Sequence, residues 1–399
     1  MKKILFIAPA SVPVDGPEAI VNAKLLSILV DAGYKIDVIS KRGKLACYPE
    51  TDYSIIDKLN SLHIIKIDNK VNLETLYYHF MSFVTFGVVY RGAHWAYKAL
   101  NYIRKNLILS EYSIVITKSY PSELVGYWLK KKKKIKWIAT WNDPFPIEMY
   151  PYPYGKDIHR LPWYMNNLLE MIRDNVDYNV FPSKRLYCYM NEYIGFPEES
   201  VRIIPHVALP EKCNLISYDN GKLKLLVSGN NQYPRDPKLL LTAFANVINN
   251  LEIDVELSFV GKVDRDAVDL VESLNLSKYV NIYPSVPYDE SMVIAKKYDV
   301  AILIEAPCKE GIFLPTKIVD FMQIGIPVFA ISPSIGELND MYKTSNIGYF
   351  ADCMDEKMIE CELLKLFSDY KRGNIKKTIM LSSLSSENIL KQYSEMIDE

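Results

Sequence analysis

Tyr298-Asp-Val-Ala-Ile-Leu-Ile-Glu305 and, shortly after it, Glu310-Gly-Ile-Phe-Leu-Pro-Thr-Lys-Ile-Val-Asp-Phe-Met-Gln-Ile-Gly-Ile-Pro-Val-Phe-Ala330 decide how this chain is read. The pattern is strand, loop, helix, turn, strand. Val300 to Ile304 is an unbroken apolar run, as in a strand buried on both faces. Pro315 suits the first helical position, where a missing N–H costs nothing. Thr316 to Ile324 is the helix, Gly325 stops it, and Ile326 to Ile331 is the next strand. Thr316, Lys317 and Asp320 are spaced to share a face at the helix N-terminus. A helix N-terminus carrying a lysine suits an anion, and phosphate is the usual one.

The same cycle precedes this stretch. Leu223 to Ser228 reads as a strand, Gly229 to Lys238 as a loop, and Leu239 to Asn249 as a helix. Val255 to Val260 is a strand ending at Gly261, Asp264 to Leu274 a helix, Val280 to Tyr283 a strand and Glu290 to Tyr298 a helix. The N-terminal half opens likewise: strand Ile4 to Ala8, a loop with Gly16 near its end, helix Glu18 to Ala32, strand Lys35 to Ser40. Gly-x-Gly-x-x-Gly occurs nowhere, which argues against a standard dinucleotide site. Leu209 to Gly221 is polar and aperiodic, and reads as a linker. The domains predicted are 1–208 together with 384–399, and 222–383, joined by 209–221.

A length of 399 residues exceeds one ordinary core and agrees with two domains. A formal net charge of −1 gives no global attraction for nucleic acid. Cysteines 47, 188, 213, 308, 353 and 361 are scattered without metal or disulfide spacing. They predict reduced thiols in a cytoplasmic protein. Ile4 to Ala8 is too short for a signal peptide, and no stretch has the length of a spanning helix.

Three surfaces have two readings each. Leu76 to Lys105 is helical and rich in aromatics, as a core-facing helix pair or as a wall for a lipid-linked acceptor. Lys130, Lys131, Lys132, Lys133 and Lys134 form either a solvated helix end or a site for anionic lipid head groups. Asn142 and Asp143 follow the strand Trp137 to Thr140, where parallel sheets bind ligands, or they form an Asx-Pro turn. The Pro/Tyr/Gly loop over 147–162 is long enough to carry function. Asp264-Arg-Asp266 is an Asp-x-Asp, and Asp264 reads as a helix N-cap instead of a metal ligand.

Leu225 to Ala330 resembles the donor domain of the retaining two-domain glycosyltransferases of GT-B architecture, close to glycosyltransferase family 4. The landmarks are Gly229, Arg235-Asp-Pro and Ala243-Phe244; Phe259-Val-Gly261; Val286-Pro-Tyr-Asp-Glu290; and Glu310-Gly with Pro315-Thr-Lys-Ile-Val-Asp320 and Gly325-Ile-Pro-Val328. The last group is similar to a Pro-Ser/Thr-Lys-x-x-Glu/Asp variant. The N-terminal half matches more loosely at Gly16, Gly33 and Ile204-Pro-His206. Departures are specific. Ile312 stands where the family places its first acid, two residues beyond Glu310, and Asp320 replaces a glutamate. Asn230 replaces an arginine, Arg235 replaces a lysine, and Asn142-Asp143 replace a histidine.

The resemblance implies two Rossmann-like α/β domains facing a central cleft, with the last helix crossing back to the first domain. It implies transfer of a sugar from a nucleotide-sugar to a glycan or lipid-linked glycan in cell-surface polysaccharide synthesis. Arg235 and Lys317 would stabilise the leaving diphosphate together with helix N-terminal amides, and Gly229, Asn230 and Thr316 would also bind the donor. Asp320 would bind ribose hydroxyls and Glu310 the donor sugar. Gly16, Asn142 and Asp143 fall on the acceptor side. No metal and no cofactor are expected. The alternatives are a nucleotide-sugar epimerase on the same fold and a catalytically inactive GT-B subunit.

Overall fold

A computed structural model describes the chain apart from residues 1, 13–15, 43–58, 60–61, 70, 90, 158–160, 162, 211–220, 249–253 and 345. Cys47, Cys213 and most of the 209–221 segment therefore lie outside the described residues. The chain divides into two compact units. The first holds Met1–Met149, Ile158–Val207 and Ser386–Glu399; the second holds Tyr150–Asp157 and Ala208–Ser385. Tyr150–Asp157, expected with the first domain, thus group with the second.

The first unit runs β1 (Lys3–Ile7), α1 (Pro17–Asp31), β2 (Lys35–Arg42), β3 (His63–Asp68), α2 (Glu74–Phe86), α3 (Ala93–Asn106), β4 (Tyr112–Lys118), α4 (Ser122–Lys133), β5 (Lys136–Thr140), α5 (Trp163–Arg173), β6 (Tyr178–Phe181), α6 (Lys184–Ile194) and β7 (Val201–Ile203). Its strands are all parallel, in the order β3-β2-β1-β4-β5-β6-β7. Apolar runs such as Ile4 to Ile7 are buried because helices cover both faces. Gly126 lets α4 pack tightly on the sheet: a Cβ there would lie 2.4 Å from the Trp137 ring. Trp137 is fully buried and donates its indole N–H to Thr117 Oγ1 at 2.9 Å.

The aromatic segment 76–105 divides at Gly87 and Gly92, both with left-handed φ. The core-facing reading holds for α3, where Trp95, Ala96, Ala99, Leu100 and Ile103 are buried. It fails for α2, whose Leu76, Tyr77, Phe80, Phe83 and Val84 are all more than half exposed.

The second unit runs β8 (Leu223–Ser228), α7 (Lys238–Ile248), β9 (Val255–Val260), α8 (Arg265–Ser273), β10 (Val280–Tyr283), α9 (Tyr288–Ala295), β11 (Val300–Ile304), α10 (Thr316–Ile324), β12 (Val328–Ser332), α11 (Glu337–Lys343), β13 (Tyr349–Asp352) and α12 (Glu356–Lys371). Its parallel order is β10-β9-β8-β11-β12-β13. One face packs against Phe244 and Leu241 of α7 and Leu363 and Phe367 of α12. The other packs against Met292 of α9 and Ile318, Phe321 and Met322 of α10. Asp355 caps α12 by accepting from the Met358 N–H at 3.0 Å. The last helix, α13 (Ser386–Asp398), belongs to the first unit, where Lys2 Nζ donates to the Ile397 carbonyl at 2.8 Å. Among the described residues, Cys188, Cys308, Cys353 and Cys361 are free thiols. No described helix is long and apolar enough to cross a membrane.

Candidate functional site

In open parallel sheets the ligand crevice lies beyond the strand carboxyl ends, where strand order reverses. In the second unit that point is the gap between β8 and β11. The loops after those two strands are the glycine loop and the loop ending at Pro315. Both carry the residues singled out from sequence.

Gly229 ends β8 with φ 101°, a conformation side chains disfavour. A Cβ there would also lie 2.5 Å from Lys317 Cε. The glycine is what lets the lysine cross the end of β8. Lys317 Nζ then donates to Ser228 Oγ at 3.2 Å. Burial lowers the Lys317 pKa, the Arg235 guanidinium adds to the lowering, and Asp320 opposes it. The largely sequestered Lys317 ammonium thus feels the exposed Arg235 guanidinium, and two like charges that act on one another favour an anion between them. α10 begins at Thr316, with Pro315 one position earlier than expected, in the N-cap place. Its first-turn N–H groups add to the positive field.

Asp320 is buried, and its Oδ1 accepts from the Tyr288 hydroxyl at 2.9 Å. Tyr288 sits in the Val286-Pro-Tyr motif, so the sequence contained the residue without revealing its partner. Asn230 is exposed, while its neighbour Asn231 is buried and donates to the Gly229 carbonyl at 3.1 Å. Asp264 does occupy the N-cap position of α8, but its side chain makes no cap bond. It instead accepts from Gln232 Nε2 at 2.9 Å and from the Tyr233 N–H at 2.8 Å, bracing the glycine loop.

Ile312, in the place of the expected acid, is fully buried. Glu310 is half-buried and precedes Gly311, whose backbone pairs with Gly336. The acid at Arg235 that the sequence reading missed is Glu305. It is buried, and Ser332 Oγ donates to its Oε2 at 2.6 Å. Burial pushes the Glu305 carboxyl up, against the Ser332 hydrogen bond and the Arg235 charge. Tyr154 is the other missed residue: its hydroxyl accepts from Arg235 Nε at 3.0 Å.

The first unit has its own reversal point, between β1 and β4. Gly16 occupies the N-cap position of α1, and Glu18 lies in that helix's first turn. Glu123 lies in the first turn of α4, fully buried, with both carboxylate oxygens lacking a hydrogen-bond partner. Burial pushes Glu18 up to about 7, with Asp143 adding to the shift against Ser119, Lys118 and Lys41. Burial likewise takes Glu123 up to about 8 and Lys118 down to about 8. Asn142 and Lys118 line a pocket with Thr140, His206 and Tyr393, and the Asn142 Nδ2 atom is buried without a partner. Asp143 is exposed beside it. Glu18, Lys118 and Glu123 escaped the sequence reading because charged residues far apart in the chain carry no local pattern.

Lys130 does not belong to an exposed basic run, since Asp177 holds its ammonium at 2.6 Å and 2.7 Å. Lys131 to Lys134 are exposed. No group of metal-ligating side chains occurs among the described residues.

This pair of parallel sheets, each with a reversal point, is the architecture of GT-B glycosyltransferases. The chain aligns over 100% of its length with 100% of the Anabaena protein HepE in complex with UDP and glucose, at 12% identity and TM-score 0.68. It aligns equally fully with 98% of a glycosyltransferase from Rickettsia africae (15%, TM-score 0.68). Sucrose-phosphate synthase from Thermosynechococcus elongatus is similar over 95% of its chain (15%, TM-score 0.66). At these identities the likeness is one of fold. No curated protein matches the chain significantly. Two family models do match: residues 21–208 fit Glycosyltransferase Family 4 and residues 216–379 fit Glycosyl transferases group 1. With the fold, they make this chain a glycosyltransferase of the GT-B class.

Proposed function

We propose that the protein transfers a sugar, with retention of anomeric configuration, from a nucleotide-sugar to a glycan or lipid-linked glycan. The observation that carries this reading is the placement of Lys317 across Gly229, with Arg235 beside it, at the reversal point of the second sheet. As the anomeric C–O bond breaks, negative charge grows on the departing diphosphate. Arg235, Lys317 and the first-turn amides of α10 stabilise that charge. Two side-chain cations thereby take the place a divalent metal would fill. Asp320, held by Tyr288, accepts from the ribose hydroxyls through its remaining lone pairs. HepE binds UDP and glucose, which supports a nucleotide-sugar as the donor class here.

The acceptor is placed at the first unit's reversal point, where Glu123 and Asn142 hold buried polar atoms in need of partners. A hydroxyl-rich ligand in the pocket that Asn142 lines satisfies the Asn142 amide. We infer peripheral attachment to an anionic membrane through α2 and the end of α4. Tyr77 of α2 bonds to Tyr97 of α3, and Arg104 of α3 stacks on Trp128 of α4 at 5.3 Å, so both elements of this reading flank α3. The free thiols support a reducing, cytoplasmic setting.

Turnover of radiolabelled nucleotide-sugars tests the reading. Arg235→Ala and Lys317→Ala are each expected to lower kcat about 100-fold or more. Unchanged turnover in both sinks the site. Recovery of an epimerised nucleotide-sugar without transfer points to the epimerase, and wild-type inertness toward every donor points to a non-catalytic subunit.

A further inference from the structure

Residues 150–157 lie between β5 and α5 in the chain, yet pack within the second unit. Tyr154 is their anchor. Its hydroxyl accepts from Arg235 Nε at 3.0 Å and lies 3.5 Å from the Ala306 N–H. Its ring sits 5.5 Å from the guanidinium carbon and packs edge-on against Phe313 at 5.3 Å between centroids. Tyr150 also packs on Phe313, at 6.0 Å.

We propose that Tyr154 is the positioning residue for the donor diphosphate, acting through Arg235. This rests on the donor-site reading above. Arg235 sits on an exposed loop, and an arginine side chain that nothing holds loses rotamer entropy when a ligand fixes it. Tyr154 fixes it beforehand. The phenol takes the Nε hydrogen and packs near the guanidinium carbon, and the two terminal nitrogens form a planar fork of the kind that binds phosphate oxygens. Phe313 and the Ala306 amide hold the phenol from the other side. Asp264 braces the loop that carries Arg235, so guanidinium and backbone are secured independently.

Calorimetric titration of the full chain with UDP, ADP and GDP, and with the matching nucleosides, tests this. Tyr154→Phe keeps the ring and removes the acceptor. It is expected to weaken nucleoside diphosphate binding about five- to tenfold while leaving nucleoside binding unchanged. In an Arg235→Ala background the same change is expected to have no further effect. Equal loss for nucleoside and diphosphate, additive losses in the double variant, or no loss at all would each overturn the proposal. Circular dichroism identifies a variant that misfolds, and Tyr154→Trp, which keeps an aromatic but not the phenol, then serves in place of Phe. If wild-type protein binds none of the diphosphates, the donor-site reading fails and Tyr154 falls with it. If wild type binds but the double variant is additive, only the Tyr154 proposal fails.

Discussion

Glu123 shows how one residue ties the first unit to pH. Burial holds its carboxyl up to about 8 from an ordinary 4.5, with Glu18 adding to the shift against Ser122 and Lys118. The folded state therefore keeps a proton that the unfolded chain gives up. Its contribution is intact below about pH 4.5 and is lost as pH rises toward 8. Lys118 acts in the opposite sense and higher, since its folded pKa near 8 lies below its ordinary 10.5. Urea melts are expected to show wild type losing on the order of 3 kcal/mol between about pH 5 and about pH 8.5. Glu123→Gln should reduce that fall to the part that Glu18 contributes; an unchanged slope would mean the carboxyl finds a partner in solution. At the same scale, Lys317 and Asp320 were legible from spacing alone. Glu305 was not, because nothing local distinguishes an acid ending a buried strand from one on the surface.

At the scale of elements, α2 and α3 are neighbours in sequence with opposite fates. Both are aromatic-rich, and only packing against the sheet separates them. The exposed side chains of α2 contribute little to the fold, so Leu76→Glu with Phe80→Glu should change stability by no more than about 0.5 kcal/mol per site. The same pair should abolish sedimentation with phosphatidylglycerol vesicles. Full vesicle binding by the variant would remove α2 from the membrane reading. β11 and α10 behave differently: their boundaries could be read directly, since a wholly apolar run, a Pro-Thr entry and a glycine stop are local signals. α11 went unread because its 7 residues span about two helical turns, too few for a period to register.

At the scale of the whole molecule, each unit presents one reversal point, and the candidate cations Arg235 and Lys317 lie on the loops of the second unit's. Amide hydrogen exchange with saturating nucleoside diphosphate is expected to slow in residues 229–238 and 305–320, with the first unit's β1 and β4 loops little changed. Protection confined to the first unit would reverse the donor assignment. The sequence by itself determined the two successive βα cycles and the lysine-bearing helix N-terminus suited to an anion. These are periodic or short-range signals, written within a few residues of one another. Only the tertiary structure decided that Tyr154 reaches Arg235, that Glu305 is the acid beside it, that Asp264 braces a loop, and that Lys130 is spent on Asp177. Each of those pairs is separated in the chain by dozens of residues, and a hydrogen bond depends on distance in space, which periodicity does not encode.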